Sequence, residues 1–368
     1  MKIAIDITRA IIENAGIGRY AREIAQNILE IDSADQFTLL ATHFNSNDEK
    51  VKRLKQFIKP NVKISRIKLP GSFKELAWGW PWGWYEKSLG QSEVLFAPSF
   101  FEVSLGFSLP QVVTIHDMAT FLYPLQRGKK VSRRHNIRVR KVCQKVKKII
   151  AMSESTKKDL IRLLKVKPDK IQVIYPGKTE FPAGGRLPKD IISQKYILFV
   201  GTLEPRKNLK NLLEAYKLLS DDIRTEYSLV IVGAKGWNTA EEIKDIKETQ
   251  GVKWLGYVSD KDLGELYKNA YIFAYPSLYE GFGLPILEAQ QFGVPVLTSN
   301  VSSLPEAVGD GGLQVDPLDT NLIAKGLEQL IEDKNLHQEL AQKAKAHAEK
   351  FTWVKAARET LEVIRSVK

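Results

Sequence analysis

Two glutamates, Glu280 and Glu288, and two adjacent cations, Arg206 and Lys207, are the residues best placed to do chemistry in this chain. The glutamates lie in Pro276-Ser277-Leu278-Tyr279-Glu280-Gly281-Phe282-Gly283-Leu284-Pro285-Ile286-Leu287-Glu288-Ala289. An apolar strand, Ile272–Tyr275, runs into this glycine-containing loop, and Pro285 falls where a first helical turn tolerates proline. Backbone N–H groups near Phe282 to Leu284 would point at an anion, and Gly281 and Gly283 would let the chain approach a ligand closely. Glu280 precedes the helix and Glu288 stands on its second turn, so the two carboxylates can accept hydrogen bonds from sugar hydroxyls at two parts of one elongated ligand. Two such acids alone would read as a capping acid and a solvated one. The glycines, the proline and the strand favour a ligand.

Arg206 and Lys207 sit in Gly201-Thr202-Leu203-Glu204-Pro205-Arg206-Lys207-Asn208-Leu209, read as a strand end, a turn and a helix start. Positive charge is unfavourable at a helix N-terminus, so the pair costs stability unless an anion is near. A diphosphate would remove the conflict, with the guanidinium bidentate and the ammonium a point charge. A solvent-facing pair is the alternative.

Gly16-Ile17-Gly18-Arg19-Tyr20-Ala21 fits the G-x-G-x-x-A dinucleotide pattern. That reading, which would make the chain a nicotinamide-linked oxidoreductase, needs an acid at the end of the second strand for a ribose. The strand Phe37–Thr42 ends Ala41-Thr42-His43 and has none. Gly16 and Gly18 therefore read as a loop that closes over a ligand. At the end of another strand, in Thr114-Ile115-His116-Asp117-Met118, His116 is suited to a sugar hydroxyl and Asp117 to orienting it or binding substrate, or both are structural. No serine nucleophile elbow accompanies them, and His43, His135, His337 and His347 show no ligand spacing. The single cysteine, Cys143, excludes an internal disulfide and a multi-cysteine metal site. Trp78, Trp80, Trp82 and Trp84 alternate; core packing, sugar stacking and a membrane-interface anchor all fit them.

The elements around these residues alternate strand and helix, the pattern of parallel sheets with helices on both faces. Lys2–Ile7, Phe37–Thr42, Val62–Ile67, Glu93–Ala97, Gln111–Ile115 and Lys148–Met152 form a first series, with a helix at about Arg19–Glu30 and another capped by Ser153 or Ser155. Gln172–Arg186, rich in Pro, Gly and Lys, reads as a linker. Tyr196–Val200, Ser228–Val232, Val252–Leu255, Ile272–Tyr275 and Val294–Thr298 form a second series, followed by amphipathic helices over Leu318–Lys350 and Trp353–Val367. The expected fold is α/β, with two Rossmann-like domains facing across a cleft and ligands beyond the carboxyl ends of the strands.

The 368 residues suffice for two domains, and 43% apolar with 27% charged residues suits a soluble protein. No run approaches the roughly 18 apolar residues of a spanning helix. Asp6 interrupts what would be the apolar core of a signal peptide, so a cytoplasmic protein is expected. Charge is uneven. Residues 1–180 hold 32 Lys/Arg against 17 Asp/Glu, the rest 23 against 26, and no acid occurs from Met118 to Ser153. Such a surface suits peripheral attachment to the anionic inner face of the cell membrane, or is simply a solvated basic face. No nucleic-acid-reading module accompanies it, so nucleic acid is not an expected partner.

The motifs Gly16-Ile17-Gly18-Arg19-Tyr20, Thr114-Ile115-His116-Asp117, Phe199-Val200-Gly201 through Asn208, the Glu-x7-Glu segment and Asn300-Val301-Ser302-Ser303-Leu304-Pro305-Glu306 together resemble the family-4 retaining glycosyltransferases of the GT-B fold. The resemblance is strongest to the bacterial mannosyltransferase-like branch that builds O-antigen and other surface polysaccharides. It implies that Arg206 and Lys207 bind the donor diphosphate, that Glu280 holds the transferred sugar and that Glu288 holds the ribose. It further implies that Gly281, Phe282, Gly283 and Leu284 contact sugar and phosphate, that His116 contacts the sugar, and that Gly16 and Gly18 lie over the phosphates. Arg19 and Asp117 fall on the acceptor side. An acceptor-binding domain over 1–180, joined by about 352–368 from the returning final helix, and a donor domain over 181–351 are expected. At the linker Tyr175-Pro176-Gly177-Lys178 replaces the Asn-Gly-Val/Ile of many relatives. The implied reaction moves a sugar, mannose from GDP-mannose, to a saccharide or lipid-linked saccharide, without metal or cofactor. UDP-glucose, UDP-N-acetylglucosamine or rhamnose-type donors, and a non-catalytic nucleotide-sugar-binding protein, are the alternatives.

Overall fold

The computed structural model describes residues 1–13, 16–43, 53–68, 86–124, 128–188, 191, 194–236 and 239–367. The tryptophans from Trp78 to Trp84 lie outside the described residues, as do Asn14, Ala15 and Arg127. The chain forms two compact units: Met1–Phe121 with Lys130–Gly177 and Thr352–Lys368, and Lys178–Phe351 with Leu122–Lys129.

In the first unit seven strands, β1 (Lys2–Asp6), β2 (Gln36–His43), β3 (Val62–Lys68), β4 (Val94–Ala97), β5 (Gln111–Ile115), β6 (Lys148–Ala151) and β7 (Ile171–Val173), lie parallel in the order β3-β2-β1-β4-β5-β6-β7. Ile3 pairs with Phe37 on one side and Val94 on the other, making β1 central. Every residue of β4 and β5 is buried, which is why these strands read as unbroken apolar runs and not as an alternation. Helices α1 (Thr8–Ile12) and α2 (Ile17–Ile31) follow β1, α3 (Lys129–Lys145) precedes β6, and α4 (Glu154–Leu164) follows it. Ser153 caps α4 by accepting from the Thr156 N–H.

In the second unit β8 (Lys195–Val200), β9 (Tyr227–Val232), β10 (Val252–Gly256), β11 (Ile272–Tyr275), β12 (Val296–Ser299) and β13 (Gly312–Val315) form a parallel sheet ordered β10-β9-β8-β11-β12-β13. Its helices include α5 (Leu209–Leu218), α6 (Leu284–Gln290), α7 (Leu304–Val308), α8 (Thr320–Glu332) and α9 (Lys334–Ala348). The single helix expected over Leu318–Lys350 is two. Asp333 leaves helical geometry with ψ 90° and its carboxylate caps the next helix at the Leu336 N–H.

Helix α10 (Trp353–Arg365) returns to the first unit and packs on α2. Trp353 meets the ring of Tyr20 at 5.8 Å, and Arg365 pairs with Asp32 at 2.5 Å and Asp35 at 2.8 Å. Both sheets reverse strand order at one point, between β1 and β4 and between β8 and β11. Open parallel sheets bind ligands at the carboxyl ends of such strand pairs.

Candidate active site

The carboxyl ends of β8 and β11 carry the residues with the most distinctive chemistry. After β8 the chain makes a single 3-10 turn, Pro205–Lys207, and Asn208 then takes the left-handed conformation (φ 60°), which asparagine tolerates. Asn208 Nδ2 locks that geometry by donating to the carbonyls of Pro276 at 2.9 Å and Pro317 at 2.6 Å. The turn aims Arg206 and Lys207 at the loop after β11.

Glu280 lies between these two cations. Arg206 Nη1 and Lys207 Nζ each stand 2.6 Å from its carboxylate, and Arg206 Nη2 reaches Glu204 at 2.5 Å. The Tyr275 hydroxyl donates to the same Glu280 oxygen at 3.0 Å and accepts from Lys207. Glu280 and Lys207 are each 7% exposed, so the pairing is almost dry. Burial by itself would raise the Glu280 pKa, but Arg206 and Lys207 outweigh it and hold the value at about 2. Burial pushes the Lys207 ammonium below the ordinary lysine value against the pull of Glu280, and it pushes the Tyr275 phenol well up. Glu280 is therefore a carboxylate at neutral pH. It can accept hydrogen bonds and has no proton to give.

This corrects the expected charge conflict at Arg206 and Lys207. They do not stand uncompensated at a long helix start; two carboxylates already balance them. An arriving diphosphate would share these cations with Glu280.

The Glu280 loop is fixed by two serines from the Asn300–Glu306 segment. Ser302 Oγ accepts from the Glu280 N–H at 3.1 Å and donates to the Glu280 carbonyl at 2.7 Å. Ser303 Oγ lies 2.9 Å from that carbonyl and 3.0 Å from the Phe282 carbonyl. Sequence reasoning gave these serines no role; the short polar pair between a strand and Pro305 was the available signal. Gly281 is partly exposed, Phe282 is buried and Leu284 opens α6. Gly283 has φ 108°, where a side chain would be strained. Glu288 is buried on α6 and accepts from the hydroxyls of Thr179 at 2.6 Å and Tyr267 at 2.9 Å.

The remaining expected site residues belong to the first unit. Gly16 is exposed at the start of α2, and Arg19 is partly buried on it. Gly18 is buried where a Cβ would come within 2.4 Å of Glu13 Cβ, so its lack of a side chain has a packing cause. His116 follows β5 and donates from Nε2 to the Pro98 carbonyl at 2.8 Å, leaving Nδ1 as the acceptor of the neutral ring. Burial lowers its pKa below the ordinary histidine value. Tyr20 meets it edge-on at 4.8 Å. Asp117 accepts from the Ala119 N–H at 2.8 Å, a local capping bond.

Residues 189–347 match the family described as Glycosyl transferases group 1, and residues 15–178 match Glycosyltransferase Family 4. The chain is 36% identical over 261 residues to O-antigen chain mannosyltransferase B of Escherichia coli, covering 68% of each protein. The chain belongs to the family-4, group-1 glycosyltransferases. This glycosyltransferase has the two parallel-sheet α/β domains of the GT-B fold. Its fold is similar to sucrose-phosphate synthase from Thermosynechococcus elongatus (TM-score 0.76, 17% identity, 100% of this chain and 98% of that one). It is likewise similar to Anabaena HepE in complex with UDP-glucose (TM-score 0.73, 20% identity, 100% of both chains). Glycosyltransferases of this family take nucleotide-sugar donors. Among the described residues no helix is long and apolar enough to cross a membrane, and no three His, Cys, Asp or Glu side chains gather as a metal site would need.

Proposed function

We propose that this glycosyltransferase is a retaining, metal-independent mannosyltransferase that moves mannose from GDP-mannose to a saccharide or lipid-linked saccharide in cell-surface polysaccharide synthesis. The observation that carries the donor site is the Arg206–Lys207–Glu280 cluster at the carboxyl ends of β8 and β11. The identity to an O-antigen mannosyltransferase supports mannose as the sugar.

In this reading Arg206 and Lys207 meet the diphosphate and stabilise the charge that grows on it as the sugar–phosphate bond breaks. Glu280, ionised and fixed, accepts hydrogen bonds from hydroxyls of the departing sugar. Glu288, held on α6 by the hydroxyls of Thr179 and Tyr267, accepts from the ribose. Gly281, Phe282, Gly283 and Leu284 line the sugar and phosphate from the loop. Gly16 and Gly18 close over the phosphates, His116 accepts from a sugar hydroxyl through Nδ1, and Arg19 and Asp117 serve the acceptor. The acceptor hydroxyl forms its bond to the anomeric carbon on the face from which the diphosphate leaves, and a phosphate oxygen takes the proton.

GDP and GDP-mannose should raise the melting temperature more than UDP or UDP-glucose do, since binding to the native state stabilises it. Turnover of GDP-mannose should persist in EDTA and yield product with the donor's anomeric configuration by NMR. Arg206→Ala and Lys207→Ala should each lower kcat at least ~10²-fold, the loss of one transition-state charge partner. A UDP preference would replace the donor. Wild-type turnover in either variant would remove the assigned role.

A further inference from the structure

The first sheet has the same kind of switch point as the second, and it too carries a cation after one strand and a carboxylate after the other. Arg9, on α1 just after β1, donates through Nε to Glu102, which follows β4, at 3.1 Å. Arg9 Nη1 donates to Glu13, and the guanidinium lies over the Phe101 ring at 4.3 Å. Ser99 holds the other Glu102 oxygen. Glu102 is 4% exposed, whereas the side chains of Arg9 and Glu13 are 24% and 32% exposed. The buried carboxylate and the aromatic ring thus position a guanidinium whose Nη2 makes no protein hydrogen bond among the described residues. Arg9 also lies close enough to His116 for its charge to act on that ring.

We propose that Arg9 and Glu13, held by Glu102 and Phe101, form a subsite for a neutral saccharide, the acceptor of the reaction proposed above, on which this assignment rests. Arg9 Nη2 presents donors and Glu13 an acceptor side by side, the pattern that two adjacent sugar hydroxyls match. Charge decides against an anion. The Arg9 guanidinium pairs with two carboxylates, Glu13 and Glu102, while Arg138 donates to the Phe101 carbonyl at 2.6 Å, so the cluster holds no net positive charge to attract a phosphate.

The test is saturation-transfer NMR on the full chain with saturating GDP, using α-linked mannotriose, maltotriose, chitotriose and, as the anionic control, glucose 6-phosphate. At least one neutral trisaccharide should bind. Arg9→Gln and, separately, the more exposed Glu13→Gln should weaken it about tenfold or more, the loss of one charge-assisted hydrogen bond. The melting-temperature rise produced by GDP should be the same as in the unsubstituted protein. A neutral saccharide that binds both variants undiminished, or binding confined to glucose 6-phosphate, overturns the subsite. So does no saccharide binding while GDP still raises the melting temperature. If no nucleotide raises it, the donor reading fails and the acceptor subsite falls with it.

Discussion

Glu280 is under opposed physical demands: burial disfavours its charge, and two cations at 2.6 Å require it. Removing one member of a buried ion pair strands the other, which costs about 3–5 kcal/mol. Glu280→Gln should destabilise the protein by about that amount in urea unfolding, because Lys207 then remains buried beside Arg206. The double variant Lys207→Met/Glu280→Gln should recover part of the loss, since an apolar side chain replaces the stranded charge. A double variant no more stable than Glu280→Gln alone would show that the pair is not coupled. The pH dependence has a definite sign. A carboxylate whose pKa is lowered from 4.5 to about 2 on folding contributes fully above about pH 4.5, and its contribution is lost as pH falls toward 2. Acid titration of stability should lose this part of its slope in Glu280→Gln.

At the scale of elements, the first turn of α2 depends on Gly18 for room. A Cβ there would sit 2.6 Å from the Glu13 carbonyl oxygen, so Gly18→Ala should destabilise the protein by about 1–3 kcal/mol, as overpacking does. An unchanged thermal midpoint would contradict that packing role. The glycine spacing was legible in the sequence, but the neighbour that requires it was not. Long apolar strands such as Gln111–Ile115 and Tyr227–Val232 were legible because burial on both faces leaves an unbroken run. Ile171–Val173 and Gly312–Val315 were not: one is three residues at the edge of a Pro- and Lys-rich stretch, the other opens on glycine. In the site, both motifs could be read separately. Their union could not, because Arg206 and Glu280 are 74 positions apart and meet only because β8 lies beside β11 in the sheet. Ser302 and Ser303 escaped for the same reason, since their partners are backbone groups of a loop 20 residues earlier or more.

At the scale of the whole molecule, the surplus of positive charge in residues 1–180 gains a definite surface in α3. Lys130, Arg133, Arg134, Arg140, Lys141 and Lys145 are exposed at spacings that repeat with the helical turn, and no acid occurs in the helix. Val131 and Ile137 are 55% and 44% exposed among them. Such a face suits the anionic membrane surface expected from the uneven charge of the sequence, where a lipid-linked acceptor would reside. Each Lys or Arg near an anionic bilayer contributes about 1 kcal/mol. Lys130→Gln/Arg133→Gln/Lys145→Gln should therefore weaken binding to phosphatidylglycerol vesicles by about 10²-fold in cosedimentation at ~0.1 M salt. The unsubstituted protein should itself release as salt rises and the screening length falls below ~10 Å. Its transfer to a water-soluble acceptor should be unaffected by the triple substitution, because these side chains act on location and not on the bond being made. Equal sedimentation with uncharged phosphatidylcholine, or undiminished binding of the triple variant, would leave α3 as no more than a solvated basic helix.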